Sequence, residues 1–97
     1  MGALYSNDSC LTYEGEQFMG SDQIMGKLGN LPNLTFKSED AVIDIQPSLD
    51  DAIFVLINGS LCIDDAPPMK FTQTFLLAKG GPNGYYIRNE VFRLSLG

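Results

Sequence analysis

The chain contains no histidine. That absence removes the Ser-His-Asp and Cys-His constellations and every histidine-ligated metal site. The two cysteines, Cys10 and Cys62, lack metal-type spacing and sit in apolar, strand-like surroundings, which predicts small buried thiols. A disulfide between them stays open, although nothing marks a secreted scaffold. Lys79-Gly80-Gly81-Pro82-Asn83-Gly84 has the glycine content of a phosphate loop. It lies between two predicted strands and opens no helix, so it reads as a turn. The densest acidic tip is Asp64-Asp65-Ala66-Pro67-Pro68. Sequons at Asn7, Asn33 and Asn58 lack a secretion signal beside them and read as chance.

Composition narrows the classes further. A chain of 97 residues makes one domain with a modest core. It is 44% hydrophobic and 19% charged, which is globular rather than disordered. The net charge is −6 and the isoelectric point near 4.2. Nucleic acid and anionic membrane call for clustered Lys and Arg, so neither is an expected partner. A basic protein surface suits the charge. No run is long enough to cross a bilayer.

The elements that position these residues centre on Ala52 to Ala78. Ile53-Phe54-Val55-Leu56-Ile57 is an unbroken apolar run, the mark of a strand covered on both faces. After the acidic turn, a second strand alternates Phe71, Gln73, Phe75 and Leu77 with Thr72, Thr74, Leu76 and Ala78. One face is expected to hold the core and the other to seek a partner.

Upstream, Ala3-Leu4-Tyr5 reads as the last turn of a helix, stopped by Ser6-Asn7-Asp8. Cys10–Glu14 and Gln17–Met19 read as a short hairpin around Gly15-Glu16. Ser21 is the expected cap of a helix that aligns Ile24, Leu28 and Leu31 and stops at Gly29, Asn30 and Pro32. Asn33 to Asp44 returns to strand, with Phe36 out of phase with Ala41, Ile43 and Ile45. A bulge near Glu39-Asp40 reconciles the two halves. Tyr85 to Leu96 is the last long strand. A helix followed by a meander of strands predicts an α+β fold, a curved antiparallel sheet packed on a short helix.

Ser9-Cys10-Leu11-Thr12-Tyr13-Glu14-Gly15, with Gln17-Phe18 and Gly20, resembles the first hairpin of the nuclear transport factor 2 family. Leu31-Pro32, Asp44 with Gln46-Pro47, Gly59, Asp64-Asp65, Phe71, Gln73 and Phe75-Leu76 match in order. Asn89-Glu90-Val91-Phe92-Arg93-Leu94 resembles the family's closing signature. The likeness runs from about Gly2 to Leu96. It implies a cone-like fold (also called cystatin-like), a homodimer built sheet against sheet, and no catalysis, cofactor or metal. It implies binding to the GTPase Ran in its GDP form and to phenylalanine-glycine repeats of nuclear pore proteins, to carry Ran into the nucleus. Residence would be in cytoplasm and nucleus, enriched at the nuclear envelope. A Ran aromatic would enter a cavity lined by Tyr13, Leu31, Phe36 and Phe92, with rim acids Glu14, Asp64 and Asp65. Phe71, Gln73, Phe75 and Val91 are the expected dimer interface.

Four departures qualify the likeness. The family begins with a long amphipathic helix, and this chain starts after it, which reads as N-terminal truncation of a single domain spanning 1–97. Tyr13 replaces the family's tryptophan, and Ala66 replaces an acid of the rim. Asp40 stands where the family tends to be apolar. The same fold hosts ketosteroid isomerases, which would need Asp40 or Asp44 as base and Tyr13 as oxyanion donor. It also hosts dimerising scaffold domains of RNA-export and stress-granule proteins.

Overall fold

The computed structural model describes residues 4–31, 34–81 and 84–95, without the side chains of 37–40 and 95. The expected helix stop at Pro32, the sequon at Asn33, the Pro82-Asn83 tip and the side chains of Glu39 and Asp40 lie outside the described residues. Strands β1 (Cys10–Tyr13) and β2 (Glu16–Met19) precede helix α1 (Gly20–Gly29). Then come β3 (Leu34–Pro47), a 3-10 turn at Leu49–Asp51, β4 (Ile53–Ile63), β5 (Met69–Gly81) and β6 (Gly84–Ser95).

All six strands form one sheet in the order β2-β1-β6-β5-β4-β3. The expected meander from β3 to β6 is present, and each of its pairs is antiparallel. The sheet as a whole is mixed, because β1 runs parallel to β6. That corrects the antiparallel expectation. Turn chemistry specifies only neighbours joined by a tight connection. The pairing of the two chain ends has no local signal.

The first hairpin turns one residue earlier than expected. Tyr13 pairs with Glu16, and Glu14 and Gly15 form the two-residue turn. Both have positive φ, 52° and 89°, as the favoured tight hairpin turns require. Ser21 does not cap the helix. The cap position is Met19, and Gly20 opens the helix with φ of 83°. The Met19 N–H is held instead by Gln23 Oε1 at 3.0 Å. At the other end the Asn30 side chain donates to the Gly26 carbonyl at 3.0 Å. Ile24 is fully buried, so the helix is held by its apolar face rather than by a cap.

The expected bulge in β3 is real and large. Lys37 pairs with Ser60 and Val42 with Asn58, so five steps on β3 oppose two on β4. It brings Phe36, opposite Leu61, onto the same face as Ile43 and Ile45, opposite Ile57 and Val55. Register then sorts the sheet into two faces. The core face carries Leu11, Tyr13, Leu61, Phe71, Gln73, Glu90 and Phe92. The outer face carries Val42, Phe54, Leu56, Asn58, Thr72, Thr74, Val91 and Arg93.

Burial concentrates at the helix end of the core face. Leu61, Phe71 and Phe92 form a buried cluster, with Tyr13, Leu34, Ile57, Ile63 and Leu94 packed on it. Gly59 makes room for it, since a Cβ there would stand 3.1 Å from the Phe71 ring. The apolar run of β4 is less covered than its composition implies. Ile53 and Val55 are half-buried and Phe54 is exposed. On β3, Ile43 and Ile45 are 56% and 66% exposed. Cys10 and Cys62 are free and half-buried, on strands separated by two others.

The segment from Leu4 to Ser9 is tied to β6. The Ser9 hydroxyl donates to the Ile87 carbonyl at 2.6 Å, and the Tyr86 hydroxyl to Asp8 Oδ2 at 2.8 Å. Arg88 Nε stands 3.5 Å from Asp8 Oδ2. Hydrogen bonds from Ser6 and Tyr86, then the Arg88 charge, hold the Asp8 carboxyl below its ordinary range. A depressed carboxyl stabilises the fold above its unfolded pKa and loses that contribution as pH falls through the folded one. Asp8→Asn is therefore expected to lower stability slightly at neutral pH, the site being exposed, and to converge with wild type as pH falls below about 4, which flattens the acid limb. Urea titrations of both proteins from pH 2 to 7 read this directly. A parallel decline in both would remove Asp8 from the acid limb.

Candidate functional site

The predicted site residues converge on a row of rings across the core face. Tyr13 stacks on Phe92 with centroids 4.9 Å apart and planes 9° apart. Phe92 in turn faces Phe71 at 5.6 Å, and Phe71 meets Phe36 edge-on at 5.4 Å. Tyr13, Phe36 and Phe92 thus belong to one assembly, built from β1, β3 and β6. Phe71 from β5 links them. Leu31 is half-buried in the turn after α1 and lies outside the packed cluster. Along the row, exposure rises from 4% at Phe92 to 54% at Phe36, so the assembly opens toward β3.

Two acids follow this cluster directly. Tyr13 and Ile63 both pack on it. The next residues are Glu14 and Asp64, which share left-handed φ angles of 52° and 50°. Both acids are exposed, as is Asp65. A left-handed non-glycine residue ends its strand abruptly and turns its side chain out of the strand's alternation. Here it leaves each acid next to a core residue yet in water. Glu14 is the more fixed: its N–H donates to the Phe92 carbonyl at 3.0 Å, and its carboxylate accepts from the Leu94 N–H. The Asp64 turn closes through the Ala66 N–H on the Ile63 carbonyl at 2.9 Å. Burial, then the Glu14 charge, raises the Tyr13 phenol above its ordinary range. Its hydroxyl stays a neutral donor at physiological pH.

The four residues expected to pair protomers do not share a face. Phe71, Gln73 and Phe75 face the core side, while Val91 pairs with Thr74 on the outer face. Phe71 is 5% exposed, buried among the rings. The strand's alternation was legible, but which parity met the core was not. Val91 is 41% exposed.

A buried acid escaped sequence reading. Glu90 is 6% exposed. Its Oε1 accepts from the Tyr5 hydroxyl and its Oε2 from the Gln73 amide, each at 2.7 Å. Burial, then the bond to Glu90 and its charge, pushes the Tyr5 phenol well above its ordinary range. The signal was present in the Asn89-Glu90-Val91-Phe92 alternation, which puts an acid on the face of Phe92. Glu90→Ala is expected to cost about 2–3 kcal/mol, because two half-buried donors lose their acceptor. Glu90→Gln can still accept from Gln73 and donate to the Tyr5 oxygen, so its cost should be about 1 kcal/mol. Equal losses in urea unfolding would show that volume, not bonding, fixes this position.

The ketosteroid isomerase pairing of Asp44 with Tyr13 finds no support in these positions, and the alternative base Asp40 has its side chain outside the described residues. Asp44 pairs with Leu56 on the outer face, whereas Tyr13 is on the core face. A base and an oxyanion donor on opposite faces of a sheet cannot share a substrate. Tyr5 and Glu90 are on one side, but they are bonded to each other. Among the described residues no group of three His, Cys, Asp or Glu could hold a metal ion.

Comparison with known proteins agrees with this geometry. Residues 1–94 match the nuclear transport factor 2 (NTF2) domain. The chain is 41% identical over 97 residues to nuclear transport factor 2 of Oryza sativa subsp. japonica, covering 98% of this chain and 79% of that protein. It superposes on nuclear transport factor 2 of Cryptosporidium parvum with a TM-score of 0.87 at 38% identity, covering 97% of this chain and 76% of the other. A ketosteroid isomerase-like protein from Erwinia carotovora atroseptica shares the fold alone, with a TM-score of 0.64 at 21% identity over 99% of this chain and 79% of that one. Domain match, near-full-length identity and superposition agree, and the chain belongs to the nuclear transport factor 2 family.

Proposed function

We propose that this chain is a nucleocytoplasmic transport factor that binds Ran in its GDP form and carries it into the nucleus. The observation that carries this is the aromatic row with an exposed, backbone-fixed acid beside it. An aromatic anchor in a desolvated pocket supplies affinity, and charges at its edge supply orientation and rate. Tyr13, Phe36 and Phe92 receive the partner's ring, with Leu31, in the turn after α1, as a fourth apolar contact for the partner. Glu14, Asp64 and Asp65 meet its basic residues. Ala66 stands in the same turn without a charge, so charge pairing there is weaker than a third acid would give. The reaction is binding, not catalysis, and needs no cofactor.

The outer face supports a homodimer. Val42, Phe54 and Val91 are 58%, 39% and 41% exposed there. A groove of about 420 Å³ is lined by Thr72, Thr74, Val91, Arg93 and Leu94. Of the residues first expected at this interface, Val91 alone is retained. The open aliphatic surface of β3 and β4 suits phenylalanine-glycine repeats of nuclear pore proteins, and localisation in cytoplasm, nucleus and nuclear envelope follows from that traffic. Calorimetry of the chain against Ran loaded with GDP and with GTP tests the reading. Binding to the GDP form with discrimination against GTP is expected. Equal binding, or none, sinks it.

A further inference from the structure

Lys27 is an unusual neighbour for an aromatic docking site. It lies in the last turn of α1 and its side chain is only 27% exposed. Its ammonium stands 5.2 Å from the Tyr13 centroid and 5.6 Å from that of Phe18. It also lies 3.8 Å from Glu16 Oε1. The four residues come from the hairpin and the helix that follows it. Phe18 and Tyr13 share the core face across β1 and β2. Phe92 already covers Tyr13 in a near-parallel stack. The ring is therefore occupied by Phe92 on one side and attended by an ammonium as well.

We propose that Lys27 is a specificity-determining residue of the aromatic site, an internal occupant that an incoming ring must displace from Tyr13 and Phe18. The assignment deepens the docking role given to this cluster and rests on it. An ammonium over two ring faces is held by their quadrupoles, and Glu16 supplies a counter-charge on the same side. A neutral aromatic ligand gains the ring contact but releases the lysine to water. The apparent affinity for such a ligand is the intrinsic one multiplied by the fraction of molecules in which Lys27 is already displaced. The site therefore takes a neutral aromatic residue at a cost that an isolated hydrophobic pocket would not impose.

The probe is N-acetyl-phenylalaninamide, a neutral blocked phenylalanine, titrated into the whole chain and followed by NMR. In the free protein the Lys27 ε-methylene protons are expected upfield, shielded by the two rings, and Tyr13→Leu should shift them back toward solvent values. On saturation with the probe they should move the same way while Tyr13 and Phe92 resonances shift. Lys27→Met keeps the length of the stem and removes the charge; it should tighten the probe about threefold or more. Lys27→Arg keeps the charge and stacks better on rings; it should weaken the probe. Unchanged affinity in Lys27→Met, ε protons that stay shielded in the saturated complex, or no probe binding by either protein overturns the assignment. Loss of Ran-GDP binding in calorimetry with the probe behaving as expected sinks the transport role and leaves Lys27 as assigned.

Discussion

Phe92→Ala is expected to lower stability by about 3–5 kcal/mol. Phe92 stacks on two other rings, Tyr13 at 4.9 Å and Phe71 at 5.6 Å. It is 4% exposed and part of the buried cluster with Leu61 and Phe71. Domains of this size hold only about 5–15 kcal/mol in total, so the loss would lower the melting temperature by on the order of 15–30 °C. Phe92→Leu keeps most of the buried volume and removes both ring pairs. Such pairs contribute about 0.5–1.5 kcal/mol each beyond burial. The leucine variant should therefore fall between wild type and alanine. Equilibrium urea unfolding distinguishes the three. An alanine variant within about 1 kcal/mol of wild type would mean that the cluster is not the centre of the fold.

Glu14 is the position where charge and structure must be separated. Its carboxylate accepts a backbone bond from Leu94, so a charge reversal removes that bond together with the negative charge. Glu14→Gln keeps an acceptor in place and removes only the charge. On the proposed function, Glu14→Gln should leave the melting temperature and the proposed dimer unchanged and weaken Ran-GDP by about tenfold, the loss of one charged pair at an interface rim. Glu14→Lys should abolish detectable binding, because it places like charges against a basic partner. Its stability cost should stay within about 1 kcal/mol, since the lost bond is solvent-exposed. Calorimetry and sedimentation together read both effects. A glutamine variant that binds as wild type would assign Glu14 to holding β6 rather than to the partner. Loss of the dimer in either variant would do the same.

Several features were legible in residue order because short-range physics decides them. The hairpin before the helix, the helix over Ile24, the β3 bulge and the meander to β6 each follow from periodicity, glycine placement or parity. The location of the aromatic site was legible only by resemblance, since Phe36, Phe71 and Phe92 are ordinary core residues when read alone. Small displacements arose where two local signals compete. Ser21 is a better cap than Met19 by residue type, yet the helix begins at Gly20 and its cap position falls two residues sooner, at Met19.

By itself, the sequence excluded histidine chemistry, disfavoured nucleic acid, predicted an α+β chain and offered the acidic turns. All of these depend on composition or on neighbours within a few residues. Tertiary structure alone decided three other things. It joined β1 to β6 in parallel, a contact between residues about eighty positions apart that no turn encodes. It gave Phe71, Gln73 and Phe75 to the core and Val91 to the outside. Alternation defines two faces but not which one meets the helix. Finally, it set Lys27 over Tyr13 and Phe18 and enclosed Glu90 between Tyr5 and Gln73. Those placements arise where the hairpin, the helix and the last strand close on one another. The aromatic residues were therefore readable from the chain, and what stands beside each of them was not.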